Sequence, residues 1–415
     1  MFNILKKYKS YLKFVPLLFI YIVIIILKEK NELIGDEGRY WEYSIKLING
    51  HYADLSYNEY SYLWNGPGYP IILIPFVLAG VSLFTVKIFN AFLVFVSIIF
   101  FFKTLLILNI SKNKANITSM ALGLYLPFLF QALPKILTEA ISFFWLITHF
   151  LFLVKYIVDL KKISFFLSAF SLAFLILTKV IFAYVLYVIF IVYVIHYFIY
   201  KNKKSKIILL LYSASFLFTT PYLVYTYNLT GKPFYYANSG GKSLYWMSTP
   251  YENEHGDWML FETLEQNTNV YKNHKYFLSS IKNLSPIEKD NILKKKAVSN
   301  IISNKKKYLE NWIDNINRTL FGFPFKNQEV LSSYTFTFRI FSNAIIFTLF
   351  LFSFLISVIN IKKIKFEIIF ILFFTVIYLG GISIVSSYPR FLYPVIPLIF
   401  IFIIYSFNKF IKIEH

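Results

Sequence analysis

The chain has 415 residues, of which 57% are hydrophobic, contains no cysteine and carries a formal net charge of +21 at pH 7. A mean hydropathy of +0.59 is typical of a polytopic membrane protein and excludes a soluble domain. The missing cysteines exclude disulfide and thiolate chemistry. The lysines cluster in short loops between apolar runs, so the positive charge indicates membrane topology rather than nucleic acid binding.

The first apolar segment, residues 14–27, follows a lysine-rich stretch that places the preceding residues in the cytoplasm by the positive-inside bias. These lysines are Lys6, Lys7, Lys9 and Lys13. No small-residue cleavage site follows the segment, so we predict a retained helix rather than a signal peptide. Residues 28–67 then form an outer loop, in which residues 42–49 have the apolar spacing of a short interfacial helix.

Residues 69–83 are apolar but short, and Pro70 and Pro75 interrupt them. If they crossed the membrane, Lys112 and Lys114 would lie outside and the sidedness of every later loop would reverse. We therefore predict a re-entrant or interfacial segment, which leaves every lysine cluster on the cytoplasmic side. The ten predicted spans are residues 14–27, 84–109, 116–132, 139–157, 164–178, 180–200, 207–227, 339–360, 366–386 and 391–408.

The predicted architecture is an all-α polytopic membrane protein with three parts. Residues 1–227 form an N-terminal transmembrane region, residues 228–337 an extracytoplasmic mixed or α domain, and residues 338–415 the C-terminal transmembrane helices. Within the outer domain, residues 284–311 predict one or two amphipathic helices, with Ser285 and Pro286 as N-cap and first helical residue. The many lysines of this stretch favour a solvated face over a membrane contact.

The informative residues are the charges predicted to lie outside, near helix ends. Residues 34–41 (IGDEGRYW) place two adjacent carboxylates, Asp36 and Glu37, at the membrane surface beside Arg39 and Tyr40. The simplest alternative is that this acid pair only favours the N-terminus of the adjoining helix. Further motifs on the same side are residues 137–140 (LTEA), 177–179 (LTK), 228–234 (NLTGKPF), 239–245 (SGGKSLY) and 388–391 (YPRF), the last followed by Pro394 and Pro397.

Four outer cations stand against the positive-inside bias, namely Arg39, Lys135, Lys179 and Arg390. A cation in this position calls for a partner, which is either a lipid phosphate at headgroup depth or a facing carboxylate. The guanidinium groups suit phosphate oxygens because they are planar and bidentate. The alternative for each cation taken singly is a side chain that snorkels from a helix end.

Taken in order, these motifs resemble the GT-C membrane glycosyltransferases. The resemblance is to the protein O-mannosyltransferase and aminoarabinose-transferase-like branch (glycosyltransferase family 39-like), and it covers about residues 34–397. Asp36 matches the family's catalytic carboxylate in the first outer loop, with Glu37 beside it. Many aminoarabinose-transferase-like members have Lys-Pro-Pro before the re-entrant segment, whereas this chain has residues 65–70 (NGPGYP). Specificity for lipid A is therefore not carried over.

The resemblance implies an enzyme that moves a sugar from a polyprenyl-phosphate donor, with inversion, to an acceptor outside. The acceptor is a protein, a lipid or a polysaccharide, and nucleic acid is not a partner. Asp36 is expected as general base, with Arg39, Lys179, Arg390 and Lys135 at the donor phosphate. The expected substrate or acceptor contacts are Tyr40, Tyr69, Glu139 and Tyr245. The expected location is a bacterial inner or plasma membrane, with the active site facing outside.

A divalent metal is a further candidate for stabilising the leaving phosphate, and its use varies within the family. Oxygen and nitrogen ligands are offered by Asp36, Glu139, His255 and Asp257. The alternative for residues 255–257 (HGD) is an ordinary polar turn.

Two other functions remain as alternatives, a flippase or transporter of lipid-linked saccharides and a non-catalytic scaffold of the same fold. Transporters usually place charges near the bilayer midplane and often contain inverted repeats. Here the charges gather at one face beside a long one-sided domain, which favours a surface enzyme.

Overall fold

The computed structural model describes residues 11–52, 63–259, 272–324 and 336–411, and every regular element in these ranges is helical. The predicted all-α fold is thus confirmed for the described residues, and the described part of the predicted outer domain is α-helical. Of the four N-terminal lysines, Lys6, Lys7 and Lys9 lie outside the described ranges.

The N-terminal part contains α1 (Val15–Leu27), α2 (Asp36–Ile48), α3 (Gly68–Leu78), α4 (Leu83–Ile107), α5 (Lys112–Gly123), α6 (Leu126–Gln131), α7 (Thr138–Asp159), α8 (Lys162–Thr178), α9 (Ile181–Tyr200) and α10 (Lys203–Thr230). The segment predicted to be extracytoplasmic, here called the outer domain, contains α11 (Gly240–Met247), α12 (Lys275–Ser280), α13 (Pro286–Ser303) and α14 (Lys305–Phe321). The C-terminal part contains α15 (Ser342–Ile359), α16 (Phe366–Ser383) and α17 (Ile396–Phe410), with a π-helical turn at Phe336–Phe341 and 3-10 turns at Ile361–Lys363, Pro389–Phe391 and Tyr393–Val395.

Among the described residues, 7 helical stretches are long and apolar enough to cross a membrane. They are α4, α7, α9, α10, α16 and the stretches Phe338–Ile359 and Pro389–Phe410, which contain α15 and α17. The shorter apolar helices are α1, α3 and α8. Nine of the ten predicted spans therefore correspond to one apolar helix each, and α3 falls on the predicted re-entrant segment.

The predicted third span, residues 116–132, is not one continuous helix, which corrects the sequence prediction. It divides into α5 and α6 at Tyr125, whose backbone is extended (ψ 98). The cause is Pro127, which has no N–H to donate to the carbonyl of Gly123 and whose ring clashes with that carbonyl in a continuous helix. The hydroxyl of Tyr21 donates to the Gly123 carbonyl instead, at 2.9 Å.

The helix ends predicted to be cytoplasmic contact one another. Lys114 Nζ donates to Asn408 Oδ1 at 3.0 Å, which joins the start of α5 to the end of α17. Lys365 Nζ reaches the carbonyl of Leu108 at 3.4 Å, which joins the turn before α16 to the end of α4. The lysine clusters around residues 112–114, 362–365 and 409 therefore lie together at one end of the bundle, in agreement with the predicted topology.

Both ends of α3 lie near the opposite end of the bundle. Gly68, its first residue, packs against the backbone of Thr178 at the end of α8. The start of α4, directly after α3, lies beside the end of α1, because Lys87 Nζ donates to the Lys30 carbonyl at 2.7 Å. An 11-residue helix is only about 16 Å long. The segment therefore returns to the end from which it starts, as predicted.

The outer domain has its own small hydrophobic core between α11, α12 and α13. Its buried side chains are Tyr245, Trp246, Leu278, Ile281, Leu293 and Ala297. The predicted cap of α13 is present, since Ser285 and Glu288 form a reciprocal capping box with Pro286 in the first turn. The predicted amphipathic stretch thus forms two helices, α13 and α14, that meet at Asn304.

We expect residue 203 to be cytoplasmic and residue 295 to be outside. Lys203→Cys and Lys295→Cys give two exposed single thiols in a chain that contains no native cysteine. An impermeant maleimide added to intact cells should label position 295, and should label position 203 only after permeabilisation. Labelling of position 203 in intact cells would contradict the topology.

Candidate functional site

The first turn of α2 carries the acid motif. The helix begins at Asp36, six residues earlier than the predicted helix 42–49, so the acids are helical residues and not part of a preceding loop. Gly35 precedes it in the left-handed region (φ 59), which glycine adopts without a steric penalty. Arg39 lies one turn after Asp36 on the same face, and its Nη2 is 2.6 Å from Asp36 Oδ1.

Arg390 reaches the second oxygen of the same carboxylate from the far end of the chain. It lies in the 3-10 turn Pro389–Phe391, and its Nη2 donates to Asp36 Oδ2. Burial alone would raise the pKa of Asp36, but the charges of Arg390 and Arg39 and their hydrogen bonds outweigh it and hold the pKa below its usual value. Asp36 is therefore a carboxylate held ionised between two guanidinium groups.

A second buried ion pair adjoins the first. Glu139 lies in the first turn of α7 and Lys179 follows the last residue of α8, and their Nζ and Oε1 atoms are 2.9 Å apart. Arg390 Nε is 4.0 Å from the same Glu139 oxygen and so connects the two pairs. We call these residues the charge cluster: Asp36, Arg39, Glu139, Lys179 and Arg390. It contains three cations and two carboxylates.

The charge cluster has one unused acceptor. Glu139 Oε2 is buried and accepts no hydrogen bond from any residue that the structure describes. A buried carboxylate oxygen without a donor is costly, so Glu139 Oε2 is a candidate acceptor for a bound molecule, water included.

Two tryptophans connect the charge cluster to a lysine of the outer domain through cation–aromatic contacts. The Arg39 guanidinium lies 4.5 Å from the ring centre of Trp64. Lys242 Nζ lies 4.9 Å from the ring centres of both Trp64 and Trp258, and Tyr388 Oη donates to the Trp258 carbonyl at 3.1 Å. The start of α11 and the segment after Gly256 are therefore in contact with the first outer loop.

Residues 64–68 (WNGPG), here called the strap, hold both sides of the charge cluster. Asn65 Oδ1 accepts a hydrogen bond from Arg39 Nε at 2.8 Å. A Cβ atom on Gly66 would lie 2.1 Å from the Leu177 carbonyl oxygen, and one on Gly68 would lie 2.6 Å from the Thr178 nitrogen. The strap thus approaches the backbone just before Lys179 more closely than any residue with a side chain could.

Glu37 and Lys135 lie apart from the charge cluster. Glu37 is buried, and its Oε1 accepts from the backbone N–H of Ile136 at 2.7 Å, which ties α2 to the turn before α7. Lys135 lies in that turn with an exposed side chain, and its carbonyl accepts from Asn90 Nδ2 at 3.0 Å.

Tyr40 and Tyr69 pack against each other beside the cluster. Their rings are edge to face with centroids 5.5 Å apart, and both side chains are buried. Asn65 Nδ2 donates to Tyr40 Oη at 3.3 Å. Tyr40 therefore supports the strap, while burial raises its pKa to about 12 and keeps the hydroxyl protonated.

Tyr245, His255 and Asp257 belong to the outer domain. Tyr245 Oη is 2.7 Å from His274 Nδ1, inside the small core. His255 Nδ1 is 2.9 Å from Asp314 Oδ2, and Asp257 Oδ1 is 2.6 Å from Arg318 Nε.

The four candidate metal ligands do not form one group. Asp36 and Glu139 belong to the charge cluster, each bonded to a cation, while His255 and Asp257 are paired with residues of α14. Among the described residues, no group of three or more His, Cys, Asp or Glu side chains is placed to hold a metal ion.

The sequence did not lead us to predict the strap. Residues 65–70 stood out only because they depart from the Lys-Pro-Pro pattern of the family. Two glycines separated by one proline in residues 66–68 are a signal of close backbone approach. That signal marks a contact but does not name the partner, which lies more than a hundred residues away at Leu177 and Thr178.

Comparison with known proteins gives one structural likeness. No family model and no curated protein matches the sequence. Among solved structures, the chain is similar to the crystal structure of ArnT from Cupriavidus metallidurans bound to undecaprenyl phosphate. The TM-score is 0.45 at 12% sequence identity, and the match covers 95% of this chain and 78% of that chain. At this distance the likeness carries no argument for activity, which depends on the charge cluster itself.

We expect Gly66→Ala and Gly68→Ala to destabilise the fold. Each added methyl group would overlap the backbone of residues 177–178, and forced repacking of this kind costs about 1–3 kcal/mol. Gly380→Ala is the matched control, because a Cβ there meets no atom within 4 Å. Thermal unfolding of the purified variants in detergent checks this, and equal midpoints for all three would contradict the packing of the strap.

Proposed function

We propose that this chain is an integral membrane glycosyltransferase of the GT-C type that uses a polyprenyl-phosphate sugar. The observation that carries the proposal is the charge cluster, which draws its residues from α2, the start of α7, the end of α8 and the turn before α17. All four segments are predicted to lie outside. Buried ionisable residues are costly unless they are paired, and clusters of them are candidate functional sites; here five of them converge.

The surplus of one cation suits the anionic phosphate of a lipid-linked donor. Arg39 and Arg390 offer planar pairs of donors for phosphate oxygens, and Lys179 adds a point charge. A lipid phosphate at headgroup depth would meet these groups without entering the apolar core. Lys135, exposed on the turn before α7, stays a predicted outer contact of the same phosphate.

Asp36 would act as the general base after the donor has bound. With both oxygens bonded to guanidinium groups its pKa is low, so on its own it is a weak base. A donor phosphate competes with Asp36 for Arg39 and Arg390. When they turn to the phosphate, the pKa of Asp36 rises and the carboxylate becomes available to an acceptor hydroxyl or amine.

The transfer step then proceeds by displacement at the anomeric carbon. The acceptor oxygen or nitrogen forms the new bond on the face opposite the leaving group, and its proton passes to Asp36. The bond between the anomeric carbon and the phosphate oxygen breaks, and its electron pair leaves with the polyprenyl phosphate. The anomeric configuration is inverted, and the cations stabilise the charge that develops on the phosphate.

Glu139 has a separate proposed role in holding the substrate. Its Oε1 is occupied by Lys179, while the buried Oε2 can accept a hydrogen bond from a sugar hydroxyl. The acceptor would be a protein, a lipid or a polysaccharide on the outer side of a bacterial plasma membrane.

Reconstitution in liposomes with a labelled polyprenyl-phosphate sugar tests the proposed activity. Transfer of label to an added membrane or envelope extract is the expected result. Movement of the intact labelled lipid between leaflets without transfer would instead identify a flippase.

We expect Arg390→Ala to weaken donor binding. Loss of a charge-assisted contact corresponds to about 1.5–3 kcal/mol, or roughly ten- to a hundredfold in the dissociation constant. Lys203→Ala, an exposed lysine predicted at the cytoplasmic end, is the matched control. Binding of polyprenyl phosphate to each purified variant measures the effect. If Arg39→Ala, Lys179→Ala and Arg390→Ala all bound polyprenyl phosphate with unchanged affinity, the proposed phosphate site would be wrong.

We expect Asp36→Asn to lower sugar transfer by roughly 10²-fold or more, the usual scale for loss of acid–base assistance. Asparagine keeps the shape of the side chain, and its amide oxygen can still accept a hydrogen bond from Arg39 or Arg390, but its basicity is lost. We therefore expect the variant to fold and to bind the donor. Turnover and the unfolding midpoint are measured on the same preparation. A folded Asp36→Asn variant with normal transfer would show that Asp36 is not the base and favour a role at the helix N-terminus only.

Glu37→Gln is the neighbouring control for Asp36→Asn. Glu37 bonds to the backbone of Ile136 and not to the charge cluster, so its loss should affect stability more than turnover. A decrease in turnover equal to that of Asp36→Asn would instead indicate that the two carboxylates act together, for example on a shared metal ion.

A further inference from the structure

Helix α14 of the outer domain has its polar face turned inward. Asn311, Asn315 and Arg318 are buried on that face. Asn311 Nδ2 donates to the Thr249 carbonyl at 2.9 Å, and Arg318 Nη1 donates to Asn315 Oδ1 at 2.9 Å. The hydrogen-bonding side chains of this helix are therefore used on the inside of the protein.

The opposite face of α14 is apolar and open. Leu309 and Ile313 are each 55% exposed, Trp312 is 36% exposed, and Ile316 is half-buried. Their spacing of i, i+3, i+4 and i+7 places them in one stripe. We call these four residues the apolar stripe. A helix that borders water has the reverse arrangement, with apolar residues inside and polar residues outside.

The apolar stripe lies beside the outer end of a membrane span. Trp312 Nε1 donates to Ser383 Oγ at 2.9 Å, and Tyr308 Oη donates to the Ile384 carbonyl at 2.9 Å. Ser383 is the last residue of α16, and Ile384 after it is 51% exposed. The stripe is thus continuous with the apolar surface of α16, and tryptophan and tyrosine are the residues enriched at the membrane–water boundary.

The charges at the start of α14 agree with a lipid surface. Lys305 and Lys306 are exposed in its first turn, where the helix dipole disfavours cations. Phosphate groups of lipids would satisfy both lysines, while the stripe beneath them enters the boundary between headgroups and acyl chains.

We propose that α14 is an in-plane membrane anchor whose apolar stripe lies in the interfacial layer of the bilayer. This anchor is independent of sugar transfer and would be present in an inactive enzyme. The amphipathic stretch predicted from sequence, residues 284–311, includes only the first turns of α14. Most of the apolar stripe lies beyond residue 311.

The anchor also fixes the height of the charge cluster. Asn315 Nδ2, on the inner face of α14, donates to the carbonyls of Ser383 and Val385 at 2.8 and 2.7 Å. Its Oδ1 accepts from the Ser387 N–H at 3.0 Å. These bonds hold the segment that leads to Arg390, so a helix seated on the membrane sets the depth of that guanidinium.

Single thiols on the full-length chain test the anchor, because the chain contains no native cysteine. Ile313→Cys and Leu309→Cys are each labelled with an environment-sensitive fluorophore. Tyr276→Cys, at a 91% exposed residue of α12, is the matched control in the same domain. The proteins are placed in nanodiscs of phosphatidylethanolamine and phosphatidylglycerol, with nitroxide-bearing lipids as membrane quencher and iodide as aqueous quencher.

At positions 313 and 309, nitroxide lipids should remove most of the emission and iodide little. At position 276 the order should reverse. Quenching of the stripe labels by iodide, as at position 276, would show a solvated face and overturn the proposal. Protection from both quenchers would mean that protein, such as a second copy of the chain, covers the stripe, and would also overturn it.

Discussion

The ion pair between Asp36 and Arg390 joins the first turn of α2 to the 3-10 turn before α17, and the charge cluster is built around it. Partly buried ions cost several kcal/mol each unless partners and hydrogen bonds compensate them. Arg39 takes the second Asp36 oxygen, and Arg390 also approaches Glu139, which Lys179 neutralises. The four chain segments that carry these residues must therefore meet at one level of the bundle, which constrains how α2, α7 and α8 pack.

The same network explains why Asp36 and not Glu37 is directed at the cations. Successive residues on a helix point about 100° apart, so adjacent acids cannot face the same partner. The spacing of Asp36 and Arg39 by three residues places these two on one face. Glu37 then points to the turn before α7 and binds the Ile136 N–H, which fixes α2 against the element that carries Glu139. Asp36 is thus part of the charge cluster, and Glu37 fixes the helix that carries Asp36 against the turn before α7.

Sequence reasoning predicted the helical fold and the re-entrant or interfacial α3, and it assigned Asp36, Arg39, Glu139, Lys179 and Arg390 to one site. These features could be predicted because the positive-inside distribution of lysines fixes the topology, and charged residues on the side that this rule disfavours stand out in the sequence. The remainder depended on contacts without such a signal. The strap meets the end of α8 backbone to backbone, so no side-chain pattern names the partner. Pro127 could have indicated the helix break at Tyr125. Hydropathy alone does not show it, because a proline within an apolar run leaves the run apolar throughout.

Membrane depth connects the proposed chemistry with the proposed anchor. A polyprenyl donor keeps its phosphate among the lipid headgroups, so cations that bind it must lie at that level. Asn315 ties the segment before Arg390 to α14, while the strap ties Arg39 to the end of α8. The segment before Arg390 is therefore positioned through α14 and Arg39 through the strap, both at the end of the bundle predicted to lie outside. In the proposed reaction, the exchange of Arg39 and Arg390 between Asp36 and the phosphate couples donor binding to release of the base.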